Sequence, residues 1–136
     1  MDEFVLIEYY FKCFRHYIDF SGRANRKEFW TFVVVNIIIS IPFIILFLSG
    51  MWDYEECNNS TMLYIGAVLL FLWTVITGIP KISAAVRRLH DTGRSGFWLL
   101  ILFLPGIGSL ILITLLLLKG DDEENKYGFP PSDLFE

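Results

Sequence analysis

The 136-residue sequence predicts an all-α fold, a polytopic membrane helical bundle with three transmembrane helices preceded by an N-terminal amphipathic helix. Three stretches carry no charged residue: Phe29–Trp52, Cys57–Pro80 and Ser95–Leu118, each 24 residues long. An α-helix rises about 1.5 Å per residue, so roughly 20 apolar residues cross a hydrocarbon core about 30 Å thick. Lipid offers backbone groups no hydrogen-bond partner, so a spanning run must be helical. Composition agrees, with 54% hydrophobic and 19% charged residues and a mean hydropathy of +0.52. A soluble domain of this size buries roughly two thirds of its surface without three uninterrupted apolar runs. Residues 1–136 therefore read as one membrane domain: an amphipathic helix and basic turn over 1–28, the three runs, and an acidic tail over 119–136.

The two cysteines lie on opposite sides of the first run, which prevents Cys13 and Cys57 from pairing within one spanning chain. Two thiols make neither a disulfide framework nor a metal site of standard spacing. The first run begins near residue 29, is too long for a signal-peptide core and is followed by no small-residue cleavage site. It is expected to act as an uncleaved insertion signal.

Phe4, Ile7, Phe11, Phe14 and Ile18 recur at spacings of three and four, the stripe of an amphipathic helix over Phe4–Ile18. Two placements fit its aromatic stripe beside Lys12, Arg15 and His16: in the headgroup layer, or packed on the protein's own spans. Glu8 and Lys12, four apart, are expected to pair. Ser21-Gly22-Arg23 breaks this helix. Asn25 and Glu28 are spaced to form a capping box at the start of the next, with Trp30 as an interfacial anchor.

From Phe32 to Phe47, thirteen of sixteen residues are Phe, Val, Ile or Leu, which outweigh Asn36, Ser40 and Pro42. Pro42 is expected to kink the helix. A short acidic linker, Met51–Thr61, precedes the second span, whose helix is predicted to continue beyond Pro80 to about His90, with Gly93 ending it. Ser95 is a candidate N-cap for the third run, and Pro105, Gly106 and Gly108 are placed to break that run in its middle. The tail beyond Leu118 is expected to be poorly ordered.

Nine of the eleven Lys and Arg fall before the first span or between the second and third. Basic residues favour the cytoplasmic side, so an N-inside, three-span topology follows, with Cys57 and the tail outside and Arg87–Arg94 inside. A re-entrant turn at Pro105–Gly108 would instead return the tail to the cytoplasm. The net charge of −4 comes largely from the linker and tail, and no nucleic-acid partner is expected.

Between the second and third runs lies Arg87-Arg88-Leu89-His90-Asp91-Thr92-Gly93-Arg94-Ser95-Gly96-Phe97-Trp98. It closely resembles the RRLHDTGRSGWW signature of the YhaH-like bacterial inner-membrane proteins, a family classed as a domain of unknown function, and departs from it at Phe97. The block Asp19–Trp30 resembles that family's N-terminal block, with Asn25 where Ser is usual. Pro105–Gly108 and Asn125–Gly128 resemble its later blocks. The resemblance covers nearly the whole chain and implies a small multi-span protein of the bacterial inner (plasma) membrane. It implies no activity.

Several chemistries are weighed against this motif. A phosphohydrolase built on His90-Asp91 lacks further ligands, since His16 is the only other histidine. A zinc site from Cys13, His16 and His90 is one ligand short. Ser95, His90 and Asp91 come with no oxyanion-stabilising group. No enzyme and no cofactor are expected. In a scaffold reading, Arg87, Arg88 and Arg94 meet anionic lipid headgroups, Asp91 pairs with Arg23, Arg26 or Arg94, and His90 bonds locally.

The competing reading is a cytoplasmic face of Arg23, Arg26, Arg87, Arg88, His90, Asp91 and Arg94 that binds an anionic ligand or a partner. That partner would be a second copy or another membrane protein. Asn36, Ser40, Thr74 and Thr77 fit interhelical hydrogen bonds. With no ionisable residue inside any span, a proton relay is disfavoured. The expected function is an interaction or accessory module, with a small oligomeric transporter or channel as the alternative. The Asn58-Asn59-Ser60-Thr61 sequons read as an accident of a polar linker.

Overall fold

The structure, a computed structural model, describes residues 3–57 and 60–131, apart from the side chains of Glu3 and Cys57. The described residues are helical throughout their regular elements: α1 (Glu3–Arg15), α2 (Arg26–Cys57), α3 (Thr61–Asp91), a 3-10 helix (Gly96–Phe103) and α4 (Ile107–Leu117). Asn58, Asn59 and the tail acids Asp133 and Glu136 lie outside them.

Two compact units emerge: Met1–Phe32 with Pro80–Glu136, and Val33–Ile79. In the second, α2 and α3 run antiparallel, Phe43 facing Trp73 with ring centroids 6.0 Å apart. Glycines set their approach: a Cβ on Gly66 would sit 2.6 Å from the Phe47 backbone nitrogen. Close backbone contact through small residues is how helices associate where lipid removes the hydrophobic driving force. The outer surfaces carry Val34, Ile37, Ile38, Phe71 and Val75, each at least half exposed. A core helix of a soluble bundle would bury such residues. α2 and α3, 32 and 31 residues long, are long and apolar enough to cross a membrane. Both continue as helix through their prolines, Pro42 and Pro80.

The buried apolar side chains all belong to the first unit, and include Tyr9, Cys13, Phe29, Phe32, Leu89, Leu112 and Leu116. There α1 turns Tyr9 and Cys13 inward and leaves Phe4, Ile7 and Phe11 exposed. The rings of Tyr10 and Phe14 meet Phe32 at 5.3 and 5.5 Å. α3 ends as expected at Gly93, whose φ of 70° suits glycine. The Gly93 and Arg94 amides donate to the carbonyls of His90 and Leu89, both at 3.0 Å, closing a Schellman cap.

The third apolar run is not one helix. The Ser95 hydroxyl caps the 3-10 helix by accepting from the Phe97 amide at 3.4 Å, and Pro105-Gly106 divides the run. Gly106 takes a φ of 80°, and Gly108 lies so close to the Ile101 carbonyl that a side chain there has no room. The two legs, 8 and 11 residues, are about 16 Å long each. Neither alone matches a hydrocarbon core of about 30 Å. The run divides at the expected Pro105–Gly108 position, because the proline cannot continue the ladder and the glycines allow a sharp turn.

Candidate functional site

Asn25 starts α2 by accepting from the Glu28 amide at 2.8 Å, half of the expected capping box. The Glu28 carboxylate turns inward. It is fully buried, with Arg87 Nη1 2.7 Å from Oε1 and Lys12 Nζ 3.0 Å from Oε2. Lys12 thus reaches Glu28 rather than Glu8. The Cys13 thiol lies 3.9 Å from the same carboxylate. Burial foremost, and then the Glu28 charge, push that thiol up to about 12. It stays neutral.

A second network forms around Asp91. Arg23 Nε and Nη2 approach Asp91 Oδ1 at 3.0 and 2.9 Å, and Arg88 Nη1 donates to Oδ2. Arg88 is fully buried and Arg23 is 7% exposed. Each arginine also donates to backbone carbonyls, an economical way to satisfy a guanidinium with five N–H groups. Arg88 Nε reaches Leu116 at 3.1 Å and its Nη2 reaches Leu118. Arg23 Nη1 reaches Glu123 at 2.8 Å and Gly128 at 3.2 Å, and Nη2 reaches Asp121. A buried ion pair is tolerable only when its remaining donors are matched in this way.

The C-terminal segment closes over this cluster. The Asp121 amide donates to the Asp91 carbonyl at 2.8 Å, and Asn125 Nδ2 donates to the His90 carbonyl at 3.0 Å. Tyr127 stacks on the His90 ring, 3.7 Å between centroids and 4° between planes. His90 Nδ1 lies 3.2 Å from the Gly22 carbonyl. The tail through Gly128 is therefore held in place, against the expectation of poor order.

The sequence-derived residues separate accordingly. Arg23, Arg88, Asp91 and His90 come together beneath the tail, and Arg87 joins Glu28 instead. Arg87 and Arg88 are interior, not at headgroups, because the fold supplies carboxylate and carbonyl partners. Arg26 is exposed and donates to the Leu118 carbonyl at 3.0 Å. Arg94 turns back to the Thr92 carbonyl at 3.2 Å, apart from Asp91. Sequence reasoning missed Glu28, whose signal was being the one acid in a basic block, and the carbonyls of the tail.

Beside the cluster an open cleft is lined by Arg26, Lys27 and Lys119 against Asp91, Asp121 and Asp122. Of these acids Asp91 is already engaged by Arg23 and Arg88, and Asp122 by Lys119. Among the described residues no three His, Cys, Asp or Glu side chains converge as metal ligands. What the arrangement does chemically is hold three chain segments together.

The chain is similar in sequence to known proteins over most of its length. The family described as "Protein of unknown function (DUF805)" matches residues 17–129. "Inner membrane protein YhaI" of Escherichia coli (strain K12) is 37% identical over 126 residues, covering 92% of this chain and 96% of that protein. "Inner membrane protein YhaH" of the same strain is 34% identical over 125 residues, covering 92% and 97%. "Uncharacterized protein YiiR", again of that strain, is 26% identical over 140 residues, covering 85% and 87%. No solved structure matches.

Proposed function

The chain belongs to this DUF805 family of membrane proteins of unknown function, and from that premise we propose a non-enzymatic interaction or accessory module. One observation carries the reading: Arg23, Arg88 and Asp91, at the centre of the dense motif, are each at most 7% exposed and matched by groups of the same chain. A motif whose charges are satisfied internally acts as scaffold. It fastens the N-terminal turn, the end of α3 and the C-terminal segment into one cap, and leaves the exposed surface around it to meet a second copy or another membrane protein.

A topology belongs to the same reading. α2 and α3 cross the membrane with the N-terminus cytoplasmic, supported by the nine Lys and Arg that flank their near ends. Ser95–Leu118 is a re-entrant hairpin rather than a third crossing. Supporting this, the Leu118 carbonyl accepts from Arg26, before the first span, and from Arg88, after the second. The tail then returns to the cytoplasm.

Two measurements test the proposal. A reporter that fluoresces only in the cytoplasm, fused after Glu136, is expected to be bright; activity of a periplasm-dependent phosphatase at that position restores three full crossings. Purified protein in liposomes at low density is expected to conduct no solute or ion above empty vesicles. Flux there overturns the accessory role in favour of an oligomeric channel.

A further inference from the structure

The outer face of α1 takes no part in the cap. Phe4, Ile7 and Phe11 are 84%, 54% and 53% exposed, and Ile18 just beyond the helix is 73% exposed. On a water-facing surface such a row would favour aggregation. The opposite face is the packed one, with Tyr9 and Cys13 buried and Tyr10 and Phe14 against Phe32.

Phe32 fixes the height of α1 on α2. It lies three residues beyond Phe29, where the charge-free run begins, and α2 carries Arg26, Lys27 and Glu28 immediately before. α1 therefore sits beside the point at which α2 passes from charged to apolar sequence. Exposed Glu8 and Arg15 border the apolar row along one edge. The outer face of α1 is thus an apolar strip with a charged margin, held where α2 passes from charged to apolar residues. It is the pattern of a helix lying in the interface plane.

We propose that α1 is an interfacial helix whose partner is the lipid bilayer, with Phe4, Ile7, Phe11 and Ile18 in the boundary between headgroups and acyl chains. The proposal goes beyond the accessory role and does not depend on which leaflet faces the cytoplasm. Its failure and that of the topology above are thus separable.

The test uses the full chain in vesicles of phosphatidylethanolamine and phosphatidylglycerol. Nitroxide labels are placed singly at Ile7→Cys, Phe11→Cys and Glu8→Cys in a Cys13→Ala, Cys57→Ser background. Labels at 7 and 11 are expected to collide several-fold more with oxygen, which concentrates in lipid, than with an aqueous nickel chelate, and the label at 8 to reverse that preference. Positions 7 and 11 as accessible to nickel as position 8 overturn the proposal. So does spin–spin broadening that disappears on dilution with unlabelled chain, which would assign the face to a second copy. The unaltered chain gives a second reading: a photoactivatable acyl-chain probe in the same vesicles should form adducts within residues 4–18. Adducts confined to α2, α3 and the hairpin overturn it equally.

Discussion

Arg23 and Asp91, 68 residues apart in the chain, meet in two contacts of 3.0 and 2.9 Å with side chains only 1% and 6% exposed. The pair joins the turn before α2 to the end of α3. Because Arg88 shares the same carboxylate, Asp91 is the single acid between two buried guanidinium groups.

Asp91→Ala leaves both cations unmatched. Its unfolding free energy in detergent should drop by about 3–5 kcal/mol, as for other broken buried pairs. Arg88→Ala is expected to be similarly damaging rather than silent. Adding Arg23→Ala to Asp91→Ala should restore part of the loss, with a coupling of about 0.5–3 kcal/mol. Strict additivity would show that the two side chains do not interact.

The glycines of α3 make a matched contrast. Gly66→Ala puts a methyl 2.6 Å from the Phe47 backbone, which must retreat, at a cost of about 1–3 kcal/mol. Nothing lies within 4 Å of a Cβ at Gly78. There alanine should be neutral or stabilising by about 0.5–1 kcal/mol, because the unfolded chain loses freedom. Equal thermal midpoints for the two variants would contradict the close approach at Gly66.

Cys13 is fully buried and its thiol is held neutral up to about 12. A maleimide should therefore leave it unmodified in the folded, detergent-solubilised protein at neutral pH, and modify it after denaturation. Protection of Cys13 in intact cells thus reports burial as well as sidedness. The folded value exceeds the ordinary 9.0. The stability from keeping the thiol neutral is full below pH 9 and lost as pH rises through the folded value. Cys13→Ala should flatten that alkaline decline.

Asp19 titrates the other way. Its Oδ1 accepts from the Ser21 hydroxyl and, at 2.9 Å, from the Ser21 amide. The hydroxyl bond foremost, then the amide, holds the carboxyl down at about 2 instead of 3.8. This turn is fully supported above pH 3.8 and loses its support as pH falls through 2. Carboxyl NMR of Ser21→Ala should find Asp19 moved up toward its ordinary value. With the side chain 42% exposed, the effect on global stability should be slight.

The two long apolar helices, α2 and α3, were legible because charge-free length and hydropathy act locally. The end of α3 was legible because Gly93 interrupts the ladder where it stands, whereas α1 stops at Arg15, short of the Ile18 that its apolar stripe reaches and well before Gly22. The Asp91–Arg23 contact was among the pairings that the motif allowed. Other features were set by tertiary packing. Glu28 had a local use as a capping residue, and only the arrival of α1 and Arg87 draws it inward. Arg88 read equally well as a headgroup contact, since a sequence does not show that carbonyls near Leu116 and Leu118 will surround it. The tail looked disordered because it is polar and acidic; its fastening to the cluster comes largely from backbone groups, which composition does not register.

That fastening imposes an order of assembly. The carbonyls of the C-terminal segment that accept from Arg88 and Arg23 are synthesised between 28 and 105 residues after those arginines. Both long apolar helices, α2 and α3, are complete in sequence before those acceptors exist. Sealing of the cap is consequently a late event in biogenesis, following insertion. A chain that stops short of Leu116 keeps Asp91 between Arg23 and Arg88 but lacks the carbonyls that match their remaining N–H groups, so its cap stays unsealed.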